Sequence, residues 1–170
     1  MTRCFALAVV AGALCLGGCA KAPPKEFVSA EGKFKVRVRG TLKDQSQIAA
    51  GTNLKLFGLE ERAGAYMVGY ADLPIPDGES DAQTRTRLDN SQDGMVRAMK
   101  ATLSGSSAAT LDGKHPGRDV RADVPDGQRV VHARVYLVGR RLYQIMVVGA
   151  KSWVDSAEAT QFLDSLTLTP

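Results

Sequence analysis

The stretch Arg129–Gly149, RVVHARVYLVGRRLYQIMVVG, constrains the fold more than any other part of this chain. It reads as two long strands joined at Gly139-Arg140, because a glycine at the first central position of a tight hairpin supplies the positive φ of a type II′ turn. Alternation places Val131, Ala133, Val135 and Leu137 on one face of the first strand, and Val130, Tyr136 and Val138 on the other. On the second strand Leu142, Met146 and Val148 oppose Tyr143, Ile145 and Val147. An antiparallel hairpin with one wet face would alternate apolar and polar residues, and this one is apolar on both faces. It is expected at the centre of a sheet that is covered on each side.

The flanking sequence supplies the other layers. After a turn signal at Glu31-Gly32, the run Lys33–Arg39 alternates strictly, with Phe34, Val36 and Val38 on one face and Lys33, Lys35, Arg37 and Arg39 on the other. Thr41–Gly51 is polar and reads as a loop. Asn53–Glu60 and Ala65–Leu73 read as a second pair of strands, with Tyr66, Val68 and Tyr70 on one face. Pro74–Asp81 stops the sheet, and Ser80 with Gln83 forms a capping box for a helix predicted over Asp81–Leu103. Its stripe is Leu88, Met95, Val96, Met99 and Leu103, and Ser104–Ser107 ends it. Asp112-Gly113 signals another hairpin, leading into a strand over Gly117–Val124. Asp155 is the expected N-cap of a last helix carrying Ala159, Phe162, Leu163 and Leu166. Strands, helix, strands, helix, with tight turns between neighbouring strands, make an α+β chain. The expected architecture is an α-β-α sandwich with a mostly antiparallel central sheet flanked by two main helices.

All three cysteines, Cys4, Cys15 and Cys19, lie at the N-terminus, so no disulfide or cysteine metal site can form in the body of the fold. Residues 1–18 combine a positive Arg3 with an apolar run from Phe5 to Leu16 that is too short to span a bilayer. The run ends in Leu16-Gly17-Gly18-Cys19, which resembles a bacterial lipobox: an aliphatic residue, two small residues, then the cysteine whose sulfur takes the diacylglycerol. The expected organisation is a lipoprotein signal peptide at 1–18, a lipidated Cys19 with a short tether at 19–26, and one domain at 27–170. This places the protein in a bacterial cell envelope, membrane-anchored and facing the periplasm. Ala20 stands where an inner-membrane retention signal would place Asp, which favours the outer membrane. The cationic stripe Lys33, Lys35, Arg37 and Arg39 then lies close to the membrane, where contact with anionic headgroups is worth about 1 kcal/mol per cation.

No catalytic constellation emerges. The chain has two histidines and no Gly-x-Ser-x-Gly elbow. Asp112, His115 and Asp119 read as a solvated loop rather than a metal site, and Asp72, Asp77, Glu79 and Asp81 lack the spacing of a calcium loop. A net charge of +4 and 6% aromatic residues are far from a nucleic-acid-binding extreme, and the compartment excludes such a partner. No cofactor or metal is expected.

Four phrases of the chain resemble the PsbP-like superfamily, which includes the extrinsic photosystem II subunit, the Ran-binding Mog protein and several bacterial lipoproteins. They are Phe27-Val28-Ser29-x-Glu31-Gly32-x-Phe34-x-Val36, Tyr66-x-Val68-x-Tyr70-x-Asp72, Arg141-Leu142-Tyr143-Gln144-Ile145 and Phe162-Leu163-Asp164-Ser165-Leu166. The resemblance covers about residues 27–169. It implies a PsbP-like sandwich and a non-enzymatic adaptor or protein-binding module with an unidentified envelope partner. The alternative expectation is an envelope lipoprotein that binds a small ligand or a metal.

Overall fold

The computed structural model describes residues 23–49, 52–76 and 78–170. Residues 1–18, read above as a signal peptide, together with Cys19 and the lipobox-like Leu16, Gly17 and Gly18, lie outside the described residues, so these expectations rest on the sequence.

The chain builds two sheets. β1 (Lys25–Ser29), β2 (Phe34–Val38) and β11 (Thr167–Leu168) form a three-stranded antiparallel sheet with β2 at its centre. The larger sheet runs β3 (Lys43–Asp44), β5 (Thr52–Glu61), β6 (Gly64–Asp72), β10 (Arg141–Ala150), β9 (Arg129–Val138), β8 (His115–Asp123), β7 (Thr102–Leu111), with β4 (Gln47–Ala49) also on β5. Every pairing in it is antiparallel. The β9–β10 hairpin sits in the middle as expected, and Gly139 takes the positive φ of 58° that its turn requires.

The two faces of this hairpin feed two cores. Val131, Ala133, Val135, Leu137, Met146 and Val148 pack with Leu88, Met95 and Val96 of α1 (Asp81–Ala98). Tyr136, Tyr143, Ile145 and Val147 pack on the opposite side with Phe34, Val36 and Val38 of the small sheet, and with Val154, Ala159, Phe162 and Leu163 of α2 (Lys151–Val154) and α3 (Ala157–Leu163). The α+β, largely antiparallel sandwich is thus the observed fold. The layer opposite α1 combines two short helices with the small sheet.

Five local expectations change. α1 ends at Ala98, well before Leu103, because Lys100 adopts φ 52° and the chain closes a Schellman motif: Lys100 N–H donates to Arg97 C=O and Ala101 N–H to Val96 C=O. The segment after it, including Ser104–Ser107, is strand β7 because β8 pairs with it along its length. The last helix is capped by Ser156, whose hydroxyl accepts from Ala159 N–H at 3.3 Å, while Asp155 caps the C-terminus of α2 and faces Arg121. The polar run after Thr41 contributes β3 and β4, and β1 begins at Lys25, inside the stretch read as tether.

Trp153 explains where α2 sits. Gly64 and Gly149 are cross-strand partners, and a Cβ on either would lie 2.6 to 2.8 Å from the Trp153 ring. This bare patch lets the indole lie against the sheet, edge-on to Tyr66 at 5.0 Å, and Tyr66 in turn meets Phe162 of α3 at 5.0 Å.

Candidate functional site

Three surfaces are candidates, two of them assembled from residues far apart in sequence and one the edge of a single strand. The first is a cavity of about 300 Å³ where the chain enters the fold, between the end of β2 and α3. Pro24, Arg37, Arg39, Tyr66, Glu158 and Gln161 are among its walls. The Tyr66 hydroxyl donates to Glu158 Oε1 at 3.2 Å, and Arg39 Nη1 lies 3.8 Å from Glu158 Oε2. Burial, then the neighbouring Glu158 charge, pushes the Tyr66 hydroxyl well above the usual tyrosine range. Arg39 Nε is buried with no hydrogen-bond partner among the described residues. Such a donor leaves part of the cost of desolvating a guanidinium uncompensated.

The four cations of the stripe fall in different places. Lys33 sits in the β1–β2 turn with φ 53°, and its carbonyl accepts from Thr169 N–H. Lys35 is 3.1 Å from Glu26. Arg37 is exposed and its side chain makes no ion pair or hydrogen bond among the described residues, while its backbone N–H donates to Ser165 Oγ at 2.9 Å. Arg37 and Arg39 therefore meet at the cavity, and Lys33 and Lys35 do not line it. The alternation of the run was legible; the convergence of Tyr66 and Glu158 on it was not, because these residues come from β6 and α3.

The second surface is the outer edge of β7. The strand reads TLSGSSAATL, ten residues without a charge or a proline. One edge pairs with β8, and the other pairs with no strand among the described residues. Most of its side chains are exposed, and Leu103 is one of two large apolar residues exposed among the described residues, at 41%. A register shift between Leu103 and Gly105 is its one irregularity.

The third is a polar network that ties α2 and α3 to the sheet. His132 Nε2 lies 2.9 Å from Asp119 Oδ1, and Arg121 Nη2 lies 3.3 Å from His132 Nδ1. The tautomer with its hydrogen on Nε2 satisfies both contacts. Arg134 donates from Nε to Asp119 Oδ2 and from Nη1 to Asp164 Oδ1, and Arg121 donates to Asp155 Oδ1. Burial would raise the Asp119 carboxyl, but hydrogen bonds from His132 and Arg134 outweigh it and hold it below the ordinary carboxylate range. His132 is thus a hydrogen-bonded sheet residue. Asp119 serves this network, apart from Asp112 and His115, and no group of three or more His, Cys, Asp or Glu converges among the described residues.

Three of the four PsbP-like phrases interlock at the Glu31-Gly32 turn. Arg141 grips both Asp72 oxygens at 2.6 and 2.8 Å, donates to Glu31 C=O at 2.8 Å, and lies 4.6 Å over the Tyr70 ring. Tyr143 donates to Gly32 C=O. These residues hold the small sheet on the large one, which is a structural role.

Among known proteins, no family model matches the chain, and no curated protein matches it. Solved structures do match. The solution structure of cyanobacterial PsbP (CyanoP) from Synechocystis sp. PCC 6803 superposes with a TM-score of 0.61 over 89% of this chain and 96% of that one, at 16% identity. At that identity the likeness speaks for architecture. The phrases that resembled PsbP-like proteins, the two-core sandwich and this superposition agree on one conclusion: the chain has a PsbP-like fold.

Proposed function

We infer that this protein is a non-catalytic, lipid-anchored component of a bacterial cell envelope whose single domain docks onto another envelope protein. The open edge of β7 carries this reading. Sheet edges in soluble proteins are ordinarily guarded by charge, proline, shortness, bulges or cover, because unpaired backbone groups invite another strand. The register shift of β7 is confined to the step between Leu103 and Gly105 and leaves residues 106–111 regular. β7 is ten residues long and lacks charge and proline, and its Ser, Gly, Ala and Thr side chains leave room for those of an added strand. The occupant is an extended segment of the partner, bound through main-chain hydrogen bonds. Cys19 supplies the anchor, and the lipobox-like sequence before it supports that assignment.

The experiment is crosslinking in intact cells from a photoreactive residue at Ala108 of β7, with Asn90 of α1 as the control position. A discrete adduct from position 108, abolished by Ser104→Lys on the same strand, is expected. Equal adducts from both positions, or an adduct indifferent to the lysine, would contradict docking at this edge.

A further inference from the structure

We propose that the cavity between β2 and α3 is a binding site for a phosphodiester anion, held by Arg37 and Arg39. Three observations converge there. The cavity has a volume of about 300 Å³, room enough for a phosphate group. Arg39 Nε is buried without a hydrogen-bond partner among the described residues, so the protein leaves this guanidinium partly unengaged, and its contact with Glu158 at 3.8 Å is too long to be a hydrogen bond. Arg37 presents a second guanidinium with no side-chain partner among the described residues. Among the described residues of the lining, the two Arg charges exceed that of Glu158, and Gln161 adds a neutral amide. Planar guanidinium forks match phosphate oxygens better than a lysine ammonium does, which distinguishes this pair from Lys33 and Lys35 on the same strand run. Tyr66, by donating to Glu158, keeps one of that carboxylate's oxygens occupied.

Two sources could supply such an anion, a membrane phospholipid headgroup or a free phosphate. The headgroup is favoured by position and rests on the anchor inferred above. Pro24 lines the cavity and stands five residues after Cys19, a span of at most about 18 Å. An anchored domain would hold this recess within reach of lipid headgroups.

The test uses the purified full chain with Cys19→Ser, so that no acyl chain contributes. It is mixed with vesicles of phosphatidylcholine alone, which report binding by any apolar segment, and with vesicles containing phosphatidylglycerol. In parallel, inorganic phosphate and glycerophosphoglycerol are titrated by calorimetry. Selective binding to phosphatidylglycerol vesicles is expected, weakened at least about tenfold by Arg37→Gln and by Arg39→Gln. Lys35→Gln removes the same charge outside the cavity and is expected to bind as the parent chain does. Arg37 is exposed, so its variant keeps the test decisive even where Arg39→Gln perturbs folding. Arginine-dependent binding of the soluble phosphates without vesicle binding would support the site and overturn the lipid source. Equal weakening by Lys35→Gln and Arg37→Gln, or no binding of any phosphate, would overturn the site. Failure of the Cys19 anchor would leave these results untouched, since the anchor is absent from them.

Discussion

The Tyr143 hydroxyl donates a hydrogen bond to the Gly32 carbonyl at 2.8 Å, joining the central strand of the large sheet to the turn of the small one across 111 residues. Tyr143 is buried, and Phe34 of β2 meets its ring edge-on at 6.0 Å. Tyr143→Phe keeps the ring and orphans a buried carbonyl, so we expect a loss of about 1–2 kcal/mol. Tyr143→Ala and Phe162→Ala remove core volume and should each cost about 3–5 kcal/mol. Urea unfolding checks all three. A Tyr143→Phe midpoint indistinguishable from the parent would show that this bond contributes nothing to docking the small sheet.

Lys100 offers the opposite sign. It occupies the left-handed position of the Schellman motif that ends α1, with φ 52°, where glycine avoids the steric penalty of a Cβ. Lys100→Gly is expected to raise stability by up to about 1 kcal/mol, with the strain relieved exceeding the added freedom of the unfolded chain. A thermal midpoint lower than the parent's would contradict that assignment.

Asp119 predicts a pH dependence. Its folded carboxyl titrates below the ordinary value of 3.8, so its contribution is fully present above that pH and is lost as pH falls through the folded value. At pH 7 Asp119→Asn should destabilise by about 1–3 kcal/mol, since His132 and Arg134 lose their charged acceptor. The gap between parent and variant should narrow as pH drops below 3.8. Unfolding curves across that range measure it, and a gap that widens in acid would refute the arrangement.

The legible parts of the fold were those with a strict period. Val131, Val135, Tyr143 and Ile145 alternate in β-branched and aromatic residues, so their faces could be assigned from spacing. Ser80 and Gln83 announced the start of α1, and both halves of that capping box form. Its end was hidden because a lysine, rather than Gly or Asn, takes the left-handed turn. Only the end of β7, residues 108–111, was announced by the Asp112-Gly113 hairpin signal; its first part was hidden because Ser and Gly carry no hydrophobic period, and that part exists through its pairing with β8. The cavity was not legible at all: Arg39, Tyr66 and Glu158 come from three elements, and only the packing of α3 beside β2 and β6 brings them together.

An envelope docking role requires that Cys19 hold the domain at a membrane, and mass spectrometry of the N-terminal peptide from washed membranes tests this most directly. We expect the mature chain to begin at Cys19, with a diacylglyceryl thioether on its sulfur, and Cys19→Ser to leave the membrane fraction after a high-salt wash that screens any headgroup contact. A membrane-bound protein with a free Cys19 thiol, or a Cys19→Ser chain that still sediments after that wash, would contradict the anchor.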